Sequence, residues 1–264
     1  MANSVFTVEG LSFAYPARGG ERPRAIFDGL DLTLREGVVT TLIGANGSGK
    51  STLFNLLTKN LRPDAGSIRL RGGDVGALRL RDFARLVAIV HQRNGAPSDL
   101  PVRKLVEYGR FPHHGAARAA LTDEDDRMVD WALETCGVSK LAEAPVASLS
   151  GGQAQRVWIA CALAQGTRVL LLDEPTTYLD IRYQLEVLRL VRRLNDEFGM
   201  TVVMVLHDVN QAIRYSDEVV ALAGGRVVAQ GSPAEVVAPG LLREVYGVDL
   251  RVVDVDGAPF VLAV

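Results

Sequence analysis

Only two cysteines occur in this 264-residue chain, Cys136 and Cys161. They are far apart and in no metal-binding or redox spacing, so a disulfide framework is excluded and a reduced, cytosolic setting is expected. Long apolar runs are also missing. Apolar runs such as 202–206 fall far short of the roughly 20 residues a membrane span requires. Any work at a membrane must therefore pass through a partner. Excess charge of one sign is absent too: Lys plus Arg is 29 and Asp plus Glu is 31, for a net charge of −2. That balance argues against binding nucleic acid by bulk electrostatics. The opening Met1-Ala2-Asn3-Ser4 lacks a basic stretch followed by an apolar one, so no secretory signal is expected. Low-complexity tracts and internal repeats are not seen, although glycine is common at 26 residues, and repeat architectures drop out. What remains is ordinary for a globular chain, with 48% apolar and 23% charged residues. The length suffices for one large domain or two small ones around a sizeable core.

The N-terminal third reads as β. Residues 5–8 alternate weakly, 30–34 alternate cleanly, and 38–43 form a buried-type run, with turns expected at Asp28-Gly29 and Glu36-Gly37. A Gly-rich loop over 44–49 then leads into a helix in which Leu53, Leu56 and Leu57 share a face. Short strands are expected near 67–70 and 86–91. The middle, from about 93 to 167, reads as helices. Pro101 is placed in a first turn, Thr122-Asp123-Glu124-Asp125 is a capping box, and Ser150 opens a further helix. The last third alternates: strand 169–172, helix 183–195, strand 201–206, short helix 208–215, then strands 218–222 and 226–229 around Gly224-Gly225. Strands alternating with helices predict an α/β fold with a mostly parallel sheet, into which the helical middle is inserted.

Two segments carry chemistry. Gly44-Ala45-Asn46-Gly47-Ser48-Gly49-Lys50-Ser51 fits G-x-x-x-x-G-K-[ST] at every defined position, between a strand and a helix. Glycines let successive N–H groups turn inward toward phosphate oxygens, and the helix N-terminus adds its positive end. Lys50 is expected to reach the β- and γ-phosphates, and the Ser51 hydroxyl to ligate Mg²⁺. The nucleotide-binding set is therefore Gly44, Asn46, Gly47, Gly49, Lys50, Ser51 and Thr52. The second segment is Val169-Leu170-Leu171-Leu172-Asp173-Glu174, a buried strand with two acids at its carboxyl end, where ligands collect in open α/β sheets. Asp173 suits Mg²⁺. Glu174 lies on the other side of the chain if the strand persists, where it can polarise a water. A solvated acid pair at a strand end is the plain alternative for such a dipeptide on its own.

Leu149-Ser150-Gly151-Gly152-Gln153, in order after the Gly-rich loop and before the Asp-Glu strand, resembles the signature motif of ABC-type ATPases. By itself Ser150 is also an ordinary helix cap, with Gly151 and Gly152 allowing close backbone approach to an anion. Ala154 departs from the longer polar residue that many relatives carry there. The resemblance covers essentially the whole chain. It implies a P-loop cassette with a mostly parallel core sheet, an N-terminal antiparallel β subdomain and an inserted helical subdomain. The chain would be a single nucleotide-binding domain over 1–264, with core and β subdomains at 1–92 and 168–264 and the helical subdomain at 93–167.

The resemblance also implies roles. Tyr15 falls where an aromatic stacks on adenine, though a strand-end tyrosine reads the same way. Gln92 falls at the glutamine loop that senses Mg²⁺ and the membrane partner, and Asp180 at the loop crossing to a second subunit, where it is equally an N-cap. His207 falls at the switch histidine that contacts the γ-phosphate. Glu174, His207 and Gln92 would be catalytic; Ser51, Gln92 and Asp173 would hold the metal. ATP would lie in a head-to-tail homodimer between Lys50 of one copy and Ser150, Gly151, Gly152 and Gln153 of the other.

One P-loop, no span and no sustained heptads favour a transporter subunit over soluble ABC ATPases of translation or DNA repair. Residues 107–113, 160–165, 175–181, 206–212 and 241–248 resemble the importer branch for ferric siderophores, haem and cobalamin, closest to enterobactin-type members. The implied setting is peripheral, on the cytoplasmic face of the cell membrane. Separate permease subunits would be direct partners and an extracytoplasmic substrate-binding protein an indirect one, with no nucleic acid. Adjacent His113 and His114 are read as part of a loop facing the permease, because neighbouring histidines rarely share one metal.

Overall fold

The structure is a computed structural model that describes residues 3–16, 23–114, 121–255 and 257–263. The chain divides into two compact units, Met1–Leu78 with Thr201–Val264, and Arg79–Met200. The segment 93–167, expected as helical, lies whole inside the second unit together with the strands and helix that flank it.

The first unit begins with two long strands, β1 (Ser4–Tyr15) and β2 (Arg24–Arg35), paired antiparallel. β3 (Val39–Ile43), α1 (Lys50–Leu57), β4 (Ala65–Leu70) and β5 (Gly73–Asp74) follow. β2, β1, β4 and β5 make an antiparallel sheet in that order. Asp28-Gly29, expected as a turn, lies inside β2. Leu11 faces Leu30 while Phe13 faces Phe27, so β2 carries one extra residue there. Gly29, at φ 71°, supplies the left-handed conformation this bulge needs.

The second unit contains α2 (Leu80–Ala84), β6 (Val87–Val90), α3 (Val102–Glu107), α4 (Asp123–Thr135), α5 (Gly151–Ala164), β7 (Val169–Asp173) and α6 (Ile181–Phe198), with a 3-10 turn at Tyr108–His113. β6 and β7 pair in parallel. Pro101 proves to be the N-cap of α3, one residue before its first turn. The box at Thr122 forms as read: its hydroxyl accepts from Asp125 N–H, and the Asp125 carboxylate accepts from Thr122 N–H at 2.9 Å.

The chain then returns to the first unit through β8 (Thr201–Val205), α7 (Val209–Tyr215), β9 (Glu218–Ala223), β10 (Arg226–Gly231), α8 (Pro233–Val236), α9 (Pro239–Tyr246), β11 (Leu250–Val255) and β12 (Ala258–Ala263). β3 runs parallel to both β8 and β9, and β10 closes antiparallel on β9. Every residue of β3 and β8 is buried, which is why their sequences run apolar without alternation. β3 keeps two threonines because each hydroxyl finds a partner. Thr40 donates to Glu218 Oε2 at 3.2 Å, and Thr41 pairs with Ser216 Oγ at 2.5 Å. Leu53, Phe54, Leu56 and Leu57 of α1 are all buried, each contributing roughly 1.5–3 kcal/mol of apolar burial. Together these contacts fix the strand-to-helix connection at 44–49.

Candidate functional site

The candidate residues fall into two groups, one in each unit. In the first, β3 ends at Ile43 and the chain turns sharply. Gly44 has φ 150°, Gly47 81° and Gly49 109°, so the glycines stand where a side chain would strain the backbone. A Cβ at Gly44 would also strike the Leu222 carbonyl oxygen and Ser48. Gly49 is the N-cap of α1, with no side chain capping the helix and no acid in its first turn. Glycine at the N-cap offers the leading N–H groups of α1 no capping side chain, a start that suits an anion. Lys50 is buried, and its ammonium donates to the Gly44 and Ala45 carbonyls at 2.6 and 3.0 Å. The Ser48 hydroxyl is buried within the same loop with no hydrogen-bond partner. Ser51, Asn46 and Gly47 are exposed.

Tyr15 ends β1 beside this loop. Its ring is 38% exposed and stands edge-on to Phe13, and its hydroxyl bonds Thr52 Oγ1 at 3.2 Å. That bond ties the proposed adenine platform to the first turn of α1. His207 lies two residues past the end of β8 and is exposed. The next residue, Asp208, caps α7 by accepting from Gln211 N–H at 3.0 Å.

In the second unit β7 delivers Asp173 and Glu174. The strand stops at Asp173, so the condition attached to Glu174, a persisting strand, is not met. Glu174 instead takes φ 50°, a left-handed backbone that is uncommon for a non-glycine residue and concentrates at functional positions. Its carboxylate is held from two sides: Gln92 Nε2 donates to Oε2 at 2.6 Å, and Thr177 Oγ1 donates to the same oxygen at 3.1 Å. Gln92 and Glu174 are thus brought together, although 82 residues separate them. Thr177 was not picked out as a ligand of Glu174, because a side-chain bond across a tight turn leaves no periodic signal.

Ser150 caps α5 through a reciprocal box. Its hydroxyl accepts from Gln153 N–H at 3.4 Å, and Gln153 Oε1 accepts from Ser150 N–H at 2.9 Å. Gln153 therefore shapes the turn by holding Ser150. Gly152 is buried, and a Cβ there would run into the Tyr183 ring, so α5 and α6 approach as closely as glycine allows. Asp180 caps α6, accepting from Tyr183 N–H at 3.1 Å, while Tyr178 and Ile181 beside it are 82% and 76% exposed. His113 and His114 point to different neighbours: His113 bonds the Gln165 carbonyl at 2.7 Å, and His114 Nε2 lies 3.4 Å from an Asp125 oxygen without a hydrogen bond. Burial pushes the thiols of Cys136 and Cys161 up to about 12 and about 11. Neither is a thiolate at neutral pH, which removes cysteine nucleophiles from consideration.

Similarity to known proteins points the same way as the geometry. A family model described as ABC transporter matches residues 27–177. The iron(3+)-hydroxamate import ATP-binding protein of Bacillus subtilis is 47% identical over 89% of this chain and 87% of its own length. The ferric enterobactin transport ATP-binding protein of Escherichia coli is 40% identical over 90% of this chain and 88% of its own. Among solved structures, a dimeric ATP-binding cassette in a post-hydrolysis state, bound to ADP and Pi, aligns with a TM-score of 0.73 at 28% identity. It covers 86% of this chain and 98% of that one.

Proposed function

Since this chain belongs to the ABC transporter family of ATP-binding subunits, we propose that it hydrolyses ATP to drive uptake of a ferric siderophore through separate permease subunits. The observation that carries the reading is the loop at 44–50. A buried ammonium there sits among loop carbonyls at the head of a helix whose first N–H groups lack a side-chain cap. A helix start and lysine arranged in this way suit a phosphate chain.

Within this proposal Lys50 neutralises charge on the β- and γ-phosphates, and Tyr15 stacks on the base. Glu174 orients and polarises the attacking water, with Gln92 and Thr177 fixing one carboxylate oxygen so that the other faces the reaction. His207 contacts the γ-phosphate. Ser51, Asp173 and Gln92 would hold Mg²⁺. Among the described residues no three His, Cys, Asp or Glu side chains cluster. That donor set fits an ion held by one carboxylate, one hydroxyl, one amide oxygen and the nucleotide's own phosphates, the usual manner of Mg²⁺. When bound, the ion offsets negative charge on the transferring phosphoryl group.

Ser150, Gly151, Gly152 and Gln153 face the nucleotide of a second copy, with Asp180 at the crossing. A dimeric relative supports this arrangement. No helix among the described residues is long and apolar enough to cross a membrane, so we place the chain peripherally, on the cytoplasmic face. An extracytoplasmic binding protein hands substrate to the permease and does not touch this chain. The siderophore assignment draws on the relatives' cargo, ferric hydroxamate and ferric enterobactin. Its test is uptake of labelled ferric siderophore, haem and cobalamin by cells carrying Glu174→Gln under iron limitation. Selective loss of siderophore uptake is expected. Loss confined to haem or cobalamin would refute the cargo and leave the ATPase standing.

A further inference from the structure

The C-terminal segment has no place in the chemistry described so far, yet it packs directly on α7, the helix that begins two residues after His207. Val237, Leu242 and Val261 form a small buried cluster, and Val209 and Ile213 of α7 pack against it. Asn210, three residues beyond His207, closes the contact with two hydrogen bonds to one residue of β12. Its Nδ2 donates to the Val261 carbonyl at 3.0 Å, and its Oδ1 accepts from Val261 N–H at 2.8 Å. Val261 stands opposite Val252 in the hairpin. Both of its main-chain groups turn outward, as at a non-hydrogen-bonded pair, and the Asn210 amide occupies that edge as a further strand would. The same segment reaches the phosphate loop. Tyr246, at the end of α9, is half-buried, and burial pushes its phenol up to about 12, with Gly44 and Asp208 facing it.

We infer that Asn210 is a positioning residue, and that β11 and β12 form a brace holding α7, and with it His207, in register with the phosphate loop. The inference rests on the reading of His207 as the γ-phosphate contact. An amide is the side chain that matches a peptide's donor and acceptor together. Asp in its place keeps the shape but sets a carboxylate oxygen against the Val261 carbonyl. The Asn210 amide is taken up by Val261 on both its atoms, so the loss should appear in turnover and not in nucleotide affinity.

The experiment compares four forms of the full chain: unaltered, Asn210→Asp, His207→Ala and the double variant. Each is assayed for single-turnover ATP hydrolysis, ATP affinity by titration, and thermal melting. Asn210→Asp is expected to lower turnover by about 10-fold to 10²-fold, the scale of a small misplacement at a reacting centre, with ATP affinity unchanged. In the His207→Ala background it should cause no further loss. A merely structural asparagine would instead lower melting and affinity together, and would act equally in both backgrounds; either result overturns the brace. Full activity of Asn210→Asp beside a crippled His207→Ala overturns the brace alone. Full activity of His207→Ala overturns the reading of His207 and the brace with it. If Asn210→Asp fails to fold, Asn210→Gln retains the amide at the wrong length and takes its place, with the same outcomes.

Discussion

Glu174→Gln is the sharpest perturbation of the proposed mechanism, because it changes one atom and leaves most of the geometry intact. The wild-type carboxylate accepts from Gln92 Nε2 at 2.6 Å and from Thr177 Oγ1 at 3.1 Å, both at Oε2. A glutamine can keep its amide oxygen at that position, so Gln92 and Thr177 retain their acceptor. The amide NH₂ then falls on the side assigned to water, where it can orient but not accept a proton. General-base assistance is typically worth about 10²–10⁴-fold, or roughly 3–5 kcal/mol of barrier. Turnover should fall by that factor while ATP still binds.

The contrast with Gln92→Ala makes the reasoning specific. That change removes one of the two donors on Oε2 and leaves basicity in place. Turnover should drop by only about tenfold, the scale of one charge-assisted hydrogen bond. The assays are steady-state ATPase and size-exclusion chromatography with ATP. Glu174→Gln should also trap a nucleotide-bound dimer, since the step that releases it is blocked. Glu174→Gln turning over within threefold of wild type would refute the water-activating role. Gln92→Ala more damaging than Glu174→Gln would show that holding the carboxylate is not the main role of Gln92 and would put its metal contact first.

Three further outcomes are expected. Lys50→Ala should raise the KM for ATP at least about tenfold by removing a charge aimed at phosphate, with a circular dichroism spectrum like wild type; normal hydrolysis at limiting ATP would contradict the loop assignment. Gly152→Ala, which places a methyl against the Tyr183 ring, should destabilise by about 1–3 kcal/mol as overpacked cores do and impair turnover, and Tyr183→Ala in the same chain should recover part of both; a double variant no better than the single one would show the close approach to be incidental. Asp125 should make stability acid-sensitive: burial alone would push its carboxyl up, but Thr122 N–H, the Arg110 guanidinium at 2.7 Å and the Thr122 hydroxyl hold it well below the ordinary carboxylate range. Its contribution is then complete above the unfolded value near about 4 and disappears as pH falls below it. Asp125→Asn should flatten that part of a urea-midpoint curve, and an unchanged slope between pH 2 and 5 would remove the argument.

The central strands and the two phosphate-side segments were legible because their causes are local. A run of five buried β residues cannot alternate, a G-x-x-x-x-G-K-S loop needs left-handed glycines, and Ser150 and Asp180 announce helices by capping them. The N-terminal strands were read as fragments because bulges reset their phase. β1 and β2 each run 12 residues, but their register shifts at four places, and each shift turns an inward position outward. Glu174 shows a different limit. Its left-handed φ comes from the turn through Thr177, whose N–H bonds the Glu174 carbonyl at 3.2 Å, and no side-chain pattern encodes that.

The C-terminal hairpin went unread for a third reason, and the reason bears on how the fold serves the site. Its strands carry little apolar alternation of their own: Phe260 and Leu262 are 39% and 40% exposed, while only Val261 between them is buried. A two-stranded hairpin is marginal in water without an apolar surface to cover. Here that surface is α7, seven residues long, which by itself is too short to be a stable helix. Each element is weak alone, and Asn210 joins them through Val261 of β12, whose side chain is buried and whose main-chain N–H and carbonyl both meet the Asn210 amide. A weak helix braced this way can hold His207 in place yet yield when the γ-phosphate is lost, because its stability comes from a handful of contacts outside the helix itself.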